Sequence, residues 1–171
     1  LRAAGATVTG EASLPGWRRL QASGRLQDLH IRQVLGWLTS ETAPWDGSLT
    51  GTFDAAFSFA QPDLVARAVL TVAPVAESEA VEGHLDLAFD QAREELSFGS
   101  SSVATPFSRE EMEGVLGRDL RVRGSTWRLE DVLPVLAFTQ AAPSELPLRL
   151  NNGSVSVDGR VRGAMADPEF T

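Results

Sequence analysis

The chain has no cysteine, and its 15 basic residues are all arginines, which 23 acidic residues outnumber to give a formal net charge of −8. Without cysteine there are no disulfides, zinc–thiolate sites or thiol nucleophiles. Because no basic run is present, the composition argues against binding to nucleic acid and against electrostatic docking of an acidic domain on an anionic membrane. There is also no apolar run of about 18 residues, so no segment is predicted to span a bilayer.

The sequence carries no motif typical of a cofactor site or of an enzyme. There is no phosphate loop, no dinucleotide fingerprint and no nucleophile elbow. His30 and His84 each have a nearby aspartate, but two ligands are too few for a metal site. We therefore predict a non-enzymatic protein without metal or cofactor, and we name no catalytic residue.

What the chain does contain is alternation of apolar and polar residues. From 47 to 59 the odd positions are apolar or glycine and the even positions mainly polar, a period of two that predicts a strand with one apolar face. The run 64–73 continues the pattern after Pro62-Asp63, a turn signal. The two runs predict a long β-hairpin.

Further strands are predicted along the chain by the same alternation. They cover residues 6–13, 17–22, 24–31, 81–90, 95–99, 100–105, 120–128, 146–150 and 154–162. Asn152-Gly153 suits a type I′ turn between the last two. The stretch 107–117 is ambiguous, because its glutamates suit either the start of a helix or the solvent face of a strand.

Two short helices are predicted by apolar spacing of i, i+3, i+4 and i+7. One runs from Ile31 to Leu38 and the other from Leu129 to Leu136, where Pro134 ends or kinks it. Thr39 to Asp46 is predicted to be a polar loop. The fold class is therefore mainly β, an antiparallel sheet with two short helices.

An internal repeat joins residues 24–73 to residues 117–171. Gly47-Ser48-Leu49 is echoed by Gly153-Ser154-Val155, and Pro62 by Pro168, each at an offset of 106 residues. We expect residues 1–171 to be a single β-rich domain, excised from a longer array of such repeats.

The motifs resemble those of one family. Gly24-Arg25-Leu26-Gln27-Asp28-Leu29 before a short helix, Leu49-Thr50-Gly51-Thr52-Phe53 leading to Pro62-Asp63, and Gly159-Arg160-Val161-Arg162-Gly163 before Asp167-Pro168 are similar to repeats of the TamB / AsmA-like proteins of Gram-negative envelopes. The resemblance covers most of the chain and lies in a style of repeat, with no catalytic motif.

The resemblance implies a long curved sheet folded into a β-taco with an apolar groove. Such a protein lies in the periplasm, tethered to the inner membrane by a segment outside this sequence. It shields phospholipid acyl chains on their way to the outer membrane, or assists protein assembly there with a barrel protein of the TamA type. Neighbouring β repeats of the same chain would extend the groove.

The predicted lipid-groove residues share the apolar faces of the strands. They are Leu49, Phe53, Phe57, Phe59, Leu70, Val72, Leu85, Leu87, Phe89, Leu96, Phe98, Val155, Val157 and Val161. The core of a closed sandwich would bury the same residues, so the pattern leaves both interpretations open. The alternative function is a structural or adhesive β-module that pairs its edge strands with a partner sheet. A carbohydrate-binding or hydrolytic domain would need a polar cleft, which the sequence does not assemble.

Overall fold

The structure, a computed structural model, describes residues 2–3, 5–38, 45–60, 63–116, 118–131, 150, 153–162 and 169–170. Within these ranges its strands are β1 (Arg2–Ala3), β2 (Ala6–Ser13), β3 (Arg19–His30), β4 (Trp45–Ser58), β5 (Asp63–Pro74), β6 (Glu79–Ala80), β7 (Glu82–Asp90), β8 (Glu95–Ala104), β9 (Ser108–Leu116), β10 (Asp119–Thr126), β11 (Val155–Arg162) and β12 (Glu169–Phe170). The helix α1 spans Ile31–Leu38, and 3₁₀ turns form at Pro15–Trp17 and Leu129–Asp131.

The strands form one open antiparallel sheet in which neighbours in sequence are neighbours in space. The order is β1-β2-β3-β4-β5-β7-β8-β9-β10-β11-β12, and β6 pairs in parallel with the start of β4. Strands that follow each other closely, such as β7 and β8, need only a tight turn, whereas longer segments join β3 to β4 and β10 to β11. The predicted mainly β class is confirmed, as are the hairpin of β4 and β5 and the helix at Ile31–Leu38.

Three local predictions need correction. Trp45 was predicted to lie in a polar loop, but it begins β4 and only 5% of its surface is exposed. The two strands predicted over 17–31 are one strand, β3, which continues through a bulge between Leu26 and Leu29. Asp28 takes a positive φ of 58° in that bulge, a conformation that aspartate tolerates better than most residues. Likewise, 95–105 holds the single strand β8.

The remaining predictions have mixed outcomes. The ambiguous stretch 107–117 is a strand, β9, and not a helix. Of the second predicted helix, the structure describes only the 3₁₀ turn at Leu129–Asp131, and its remainder lies outside the described residues. The Asn152-Gly153 hairpin also lies largely outside them, although its second arm is β11, which pairs with β10.

A small core lies at one end of the sheet. Trp45, Leu49, Leu70, Val72 and Val81 pack together there, and Val81 is fully buried. Helix α1 and the segment around β6 cover this end, which we call the covered end. No helix that the structure describes is long and apolar enough to cross a membrane.

Candidate functional site: the apolar face of the sheet

The strand register places the predicted groove residues on one face of the sheet, except Phe59, which follows the end of β4 and lies outside the paired residues. Residues directly opposite each other on paired strands point to the same side. One such row crosses the sheet from Phe53 through Ala68, Leu87 and Phe98, and continues on β10 and β11 to Val161. We call this side of the sheet the apolar face.

Burial divides the apolar face into two parts. Leu49, Leu70, Val72 and Val161 are buried. Eight of the predicted residues are half-buried: Phe53, Phe57, Leu85, Leu87, Phe89, Leu96, Phe98 and Val155. Phe59, which follows the end of β4, is 52% exposed, and Val157 is 54% exposed. On β4 and β5 the face is therefore buried at the covered end and accessible toward the opposite, open end. On β11 the order is reversed, because Val161 is buried and Val157, nearer the covered end, is exposed.

The predicted groove residues leave out several others of the same face, although the alternation over 64–73 already indicated Leu64. They are Leu20, Leu26, Leu64, Met112, Leu116, Leu120 and Val122, each opposite a residue of the apolar face in the register. On β9 the signal was available. Met112, Gly114 and Leu116 alternate with Glu111, Glu113 and Val115, but the run of glutamates obscured this period of two.

A polar network closes the covered end. The buried carboxylate of Asp131 accepts hydrogen bonds from Thr105 Oγ1 at 2.6 Å, Ser108 Oγ at 2.9 Å and Arg128 Nε at 2.6 Å. Arg128 also pairs with Glu79, the first residue of β6. The network thus joins β6, the turn between β8 and β9 and the turn after β10. The partners of the Asp131 carboxylate satisfy it, which is what a buried charge requires.

Glu110 is the acidic residue that the register places on the apolar face. It lies opposite Val103 on β8 and Gly124 on β10. Burial raises the pKa of the Glu110 carboxyl above its ordinary value, and the negative charge of Asp131 raises it further. The raised pKa therefore reflects both the burial of the carboxyl and a nearby like charge.

The other face of the sheet is polar and carries a His–Asp pair. His30 Nδ1 lies 2.8 Å from Asp46 Oδ2, and Asp46 also accepts backbone hydrogen bonds from Arg32 and Gly47. Burial alone would raise the pKa of Asp46, but the hydrogen bonds from His30 and the two backbone groups outweigh it and lower that pKa. The pair fastens β3 and α1 to the start of β4.

Ser48 lies opposite His30, so the three residue types of a hydrolase triad are close together. Their geometry differs from a triad, however, because Ser48 Oγ donates to Asp28 Oδ1 at 3.3 Å. A nucleophilic serine needs its hydroxyl on the histidine. The arrangement supports a structural role for this pair.

The polar face also carries a depression of about 500 Å³ over strands β2 to β5. Glu11, Asp54 and Arg67 line it together with small residues. A second depression of about 310 Å³ lies over β5, β7, β8 and β9. Neither depression includes a histidine, and among the described residues no three acidic or histidine side chains are grouped so that they could hold a metal ion. The chemistry of these depressions is therefore that of a solvated sheet surface.

Comparison of the chain with protein-family models, with curated proteins and with solved structures finds no match.

Proposed function

We propose that this chain is a non-enzymatic segment of a larger envelope protein, and that its apolar face shields the acyl chains of phospholipids during their transport. This agrees with the family that its repeats resemble. In that setting the chain works in the periplasm, extended by neighbouring β repeats. The full-length protein would bind a barrel protein of the outer membrane. Its function would be the movement of phospholipid to the outer membrane or the assembly of proteins in that membrane.

The observation that carries the proposal is the half-buried state of the apolar face away from the covered end. Phe53, Phe57, Leu87 and Phe98 lie on long paired strands, where the core of a closed sandwich would bury them. Among the described residues, the core cluster lies near Trp45 and Val81, and Leu120 and Val161 on β10 and β11 are also buried. A contiguous apolar surface of this kind is costly in water and is typical of a binding site.

A contact across the covered end supports an inward bend of this face. In the order of the sheet, β4 and β10 are five steps apart, which is about 24 Å in a flat sheet. Yet the indole of Trp45 at the start of β4 reaches the backbone carbonyl of Asp131, shortly after the end of β10, at 3.2 Å. Bending of the sheet toward its apolar side brings such distant strands together, and it favours a groove in which acyl chains are held from both sides.

The mechanism is passive. Each Å² of apolar surface that an acyl chain buries contributes about 25 cal/mol of stabilisation. Because similar side chains recur from strand to strand, an acyl chain finds no single deep minimum and can move along the face. No covalent step and no cofactor is needed.

The test is native mass spectrometry combined with lipid extraction from the purified chain. Phe57→Glu and Leu87→Asp place a charge on the apolar face. Ala56→Glu and Ala88→Asp place the same charge on the polar face, one residue away on the same strand. Circular dichroism and thermal unfolding establish that each variant is folded before its lipid content is compared.

Co-purified phospholipid is expected in the wild type and in the two polar-face controls, and its loss is expected in the two apolar-face variants. Equal lipid content in folded Leu87→Asp and Ala88→Asp would contradict the proposal. So would a wild-type chain that takes up no phospholipid from mixed micelles.

The second candidate function, edge-strand pairing, is favoured by the ends of the sheet. β2 pairs with β1 only at Ala6 and Thr7, so Glu11–Ser13 have no strand on their outer side among the described residues. Exposed edges of this kind can accept a further strand. Proline at Glu11 or at Ala12 would remove an outward N–H at one of the two positions. If the chain is free of lipid and associates with itself, and if one of these proline variants abolishes the association, the second function is favoured over the first.

A further inference from the structure

The open end of the sheet carries an exposed corner of aromatic and basic residues at the turns of two hairpins. The corner consists of Trp17, Arg18, Arg19 and Leu20 after β2, and of Phe57 and Phe59 around the end of β4. The backbone N–H of Phe59 donates to the carbonyl of Arg18 at 2.9 Å, which joins the two turns. The rings of Phe57 and Phe59 meet edge to face at 5.1 Å between centroids.

Trp17 has no role in the packing of the sheet. It is 84% exposed, more than any other large apolar residue of the described chain, and its backbone has a positive φ of 57°. A tryptophan in that conformation costs energy and has no evident structural benefit here. Phe59 at 52% and Leu20 at 37% extend the exposed apolar surface beside it. Surface of this kind is expected where a protein meets an apolar partner.

The charges of the corner differ in sign from those of the whole chain. Although the net charge is −8, the run from Leu14 to Leu20 contains two arginines and no acid. Arg18 and Arg19 are exposed, and neither forms an ion pair with any residue that the structure describes. Two unpaired cations beside exposed tryptophan and phenylalanine are complementary to a surface that is anionic outside and apolar beneath.

We propose that this corner docks the open end of the sheet on a bilayer that contains anionic phospholipid. Tryptophan is enriched at the boundary between headgroups and acyl chains, where its ring is buried and its N–H remains solvated. Arginines at the same depth pair with phosphate and anionic headgroups. The docking is local, since the rest of the acidic chain is repelled, and it places the accessible end of the apolar face toward the membrane.

The experiment measures the binding of the intact chain to large vesicles by co-sedimentation. One set of vesicles is phosphatidylcholine alone, and the other is an equal mixture of phosphatidylcholine and phosphatidylglycerol. Wild type is expected to bind the mixed vesicles, less at high salt, and to bind pure phosphatidylcholine more weakly. Trp17→Ala should lower the affinity at least about tenfold, given the apolar area of an indole. Arg19→Gln should lower it about fivefold, the contribution expected of one basic residue near an anionic surface.

Two matched controls separate this corner from general effects of charge and aromaticity. Trp127→Ala removes a tryptophan that is 65% exposed at the covered end. Arg25→Gln removes an arginine from the same strand and the same face as Arg19. Both controls should bind as wild type does. Brominated phosphatidylcholine should quench part of the tryptophan fluorescence of wild type and of Trp127→Ala, and this quenching should be lost in Trp17→Ala.

The docking proposal is overturned if wild type does not bind the mixed vesicles. It is also overturned if Trp17→Ala binds these vesicles as well as Trp127→Ala does, or if the corner binds a protein partner and no vesicles. It does not depend on the proposed function. Vesicle binding without any phospholipid on the apolar face would overturn the lipid-shielding function alone. Bound phospholipid in a chain without vesicle affinity would overturn the docking surface alone.

Discussion

Trp45 donates its indole Nε1–H to the backbone carbonyl of Asp131 at 3.2 Å, although the two residues lie 86 positions apart in the chain. This contact joins the first strand of the long hairpin to the turn that follows β10. It completes the covered end, where the small core and the Asp131 network lie side by side. The stability of this end is therefore expected to depend on a few side chains that act across the whole sheet.

Removal of the Trp45 indole N–H should measure the value of this contact. Trp45→Phe keeps most of the apolar volume and leaves the Asp131 carbonyl unpaired, so we expect a loss of about 1 kcal/mol in the free energy of unfolding. Trp45→Ala also opens a cavity and should cost about 3–5 kcal/mol. Urea unfolding checks both values. Trp127→Phe, at an exposed position, should change stability by less than about 0.5 kcal/mol, and an equal loss there would contradict the assignment.

Asp131→Asn should destabilise the chain strongly, although it changes only one heavy atom of the side chain. The amide cannot accept all the hydrogen bonds of Thr105, Ser108 and Arg128, and it leaves the Arg128 cation without its buried partner. We expect a loss of about 2–4 kcal/mol by urea or thermal unfolding. Glu130→Gln, at the exposed neighbour, is the control and should be nearly neutral. A nearly neutral effect of Asp131→Asn on the free energy of unfolding would contradict the importance of this carboxylate for the covered end.

Glu110→Gln should reveal the raised pKa of this carboxyl as a pH-dependent gain in stability. Below its ordinary pKa of 4.5, Glu110 is protonated in both the folded and the unfolded state and carries no penalty. As the pH rises above 4.5, the unfolded state ionises first, so the wild type loses stability until the pH passes the raised pKa of the folded state. The stability of Glu110→Gln relative to wild type should therefore increase between pH 4 and pH 7.

The control for this titration is Glu111→Gln, which removes the same charge from the polar face of the same strand. Chemical unfolding of the three proteins at several pH values supplies the comparison. An increase of equal size for Glu111→Gln would assign the effect to net charge and contradict the buried position of Glu110.

Gly47→Ala and Gly36→Ala should have opposite signs. A Cβ on Gly47 would lie 2.4 Å from Val81 Cγ1 and 2.8 Å from Val72 Cγ1 in the core, so we expect a loss of about 1–3 kcal/mol. A Cβ on Gly36 meets no described atom within 4 Å, and alanine favours the helix α1 by up to about 1 kcal/mol. Thermal unfolding of the two variants measures both effects, the crowding of the core by Gly47→Ala and the gain in helix propensity from Gly36→Ala. A stable Gly47→Ala would show that this core can expand.

The sequence by itself determined most of the strands and the faces to which their residues point. In an extended backbone successive side chains point to opposite sides, so the alternation around Phe53 and Leu87 assigns both residues to the apolar face without any tertiary contact. The spacing of Ile31, Val34 and Leu38 determined α1 for a similar local reason. These predictions depend on backbone geometry within one segment, and they are confirmed.

Only the tertiary structure decided which apolar residues are buried. The loop composition around Trp45 hid its place in the core, because its partners there include Val72, Val81 and the carbonyl of Asp131, all far along the chain. Glu110 acquired its apolar surroundings in the same way, from the neighbouring strands. The alternation of one strand fixes the side to which a residue points. The surface that covers this side is set by contacts between distant segments, and these leave no period in the sequence.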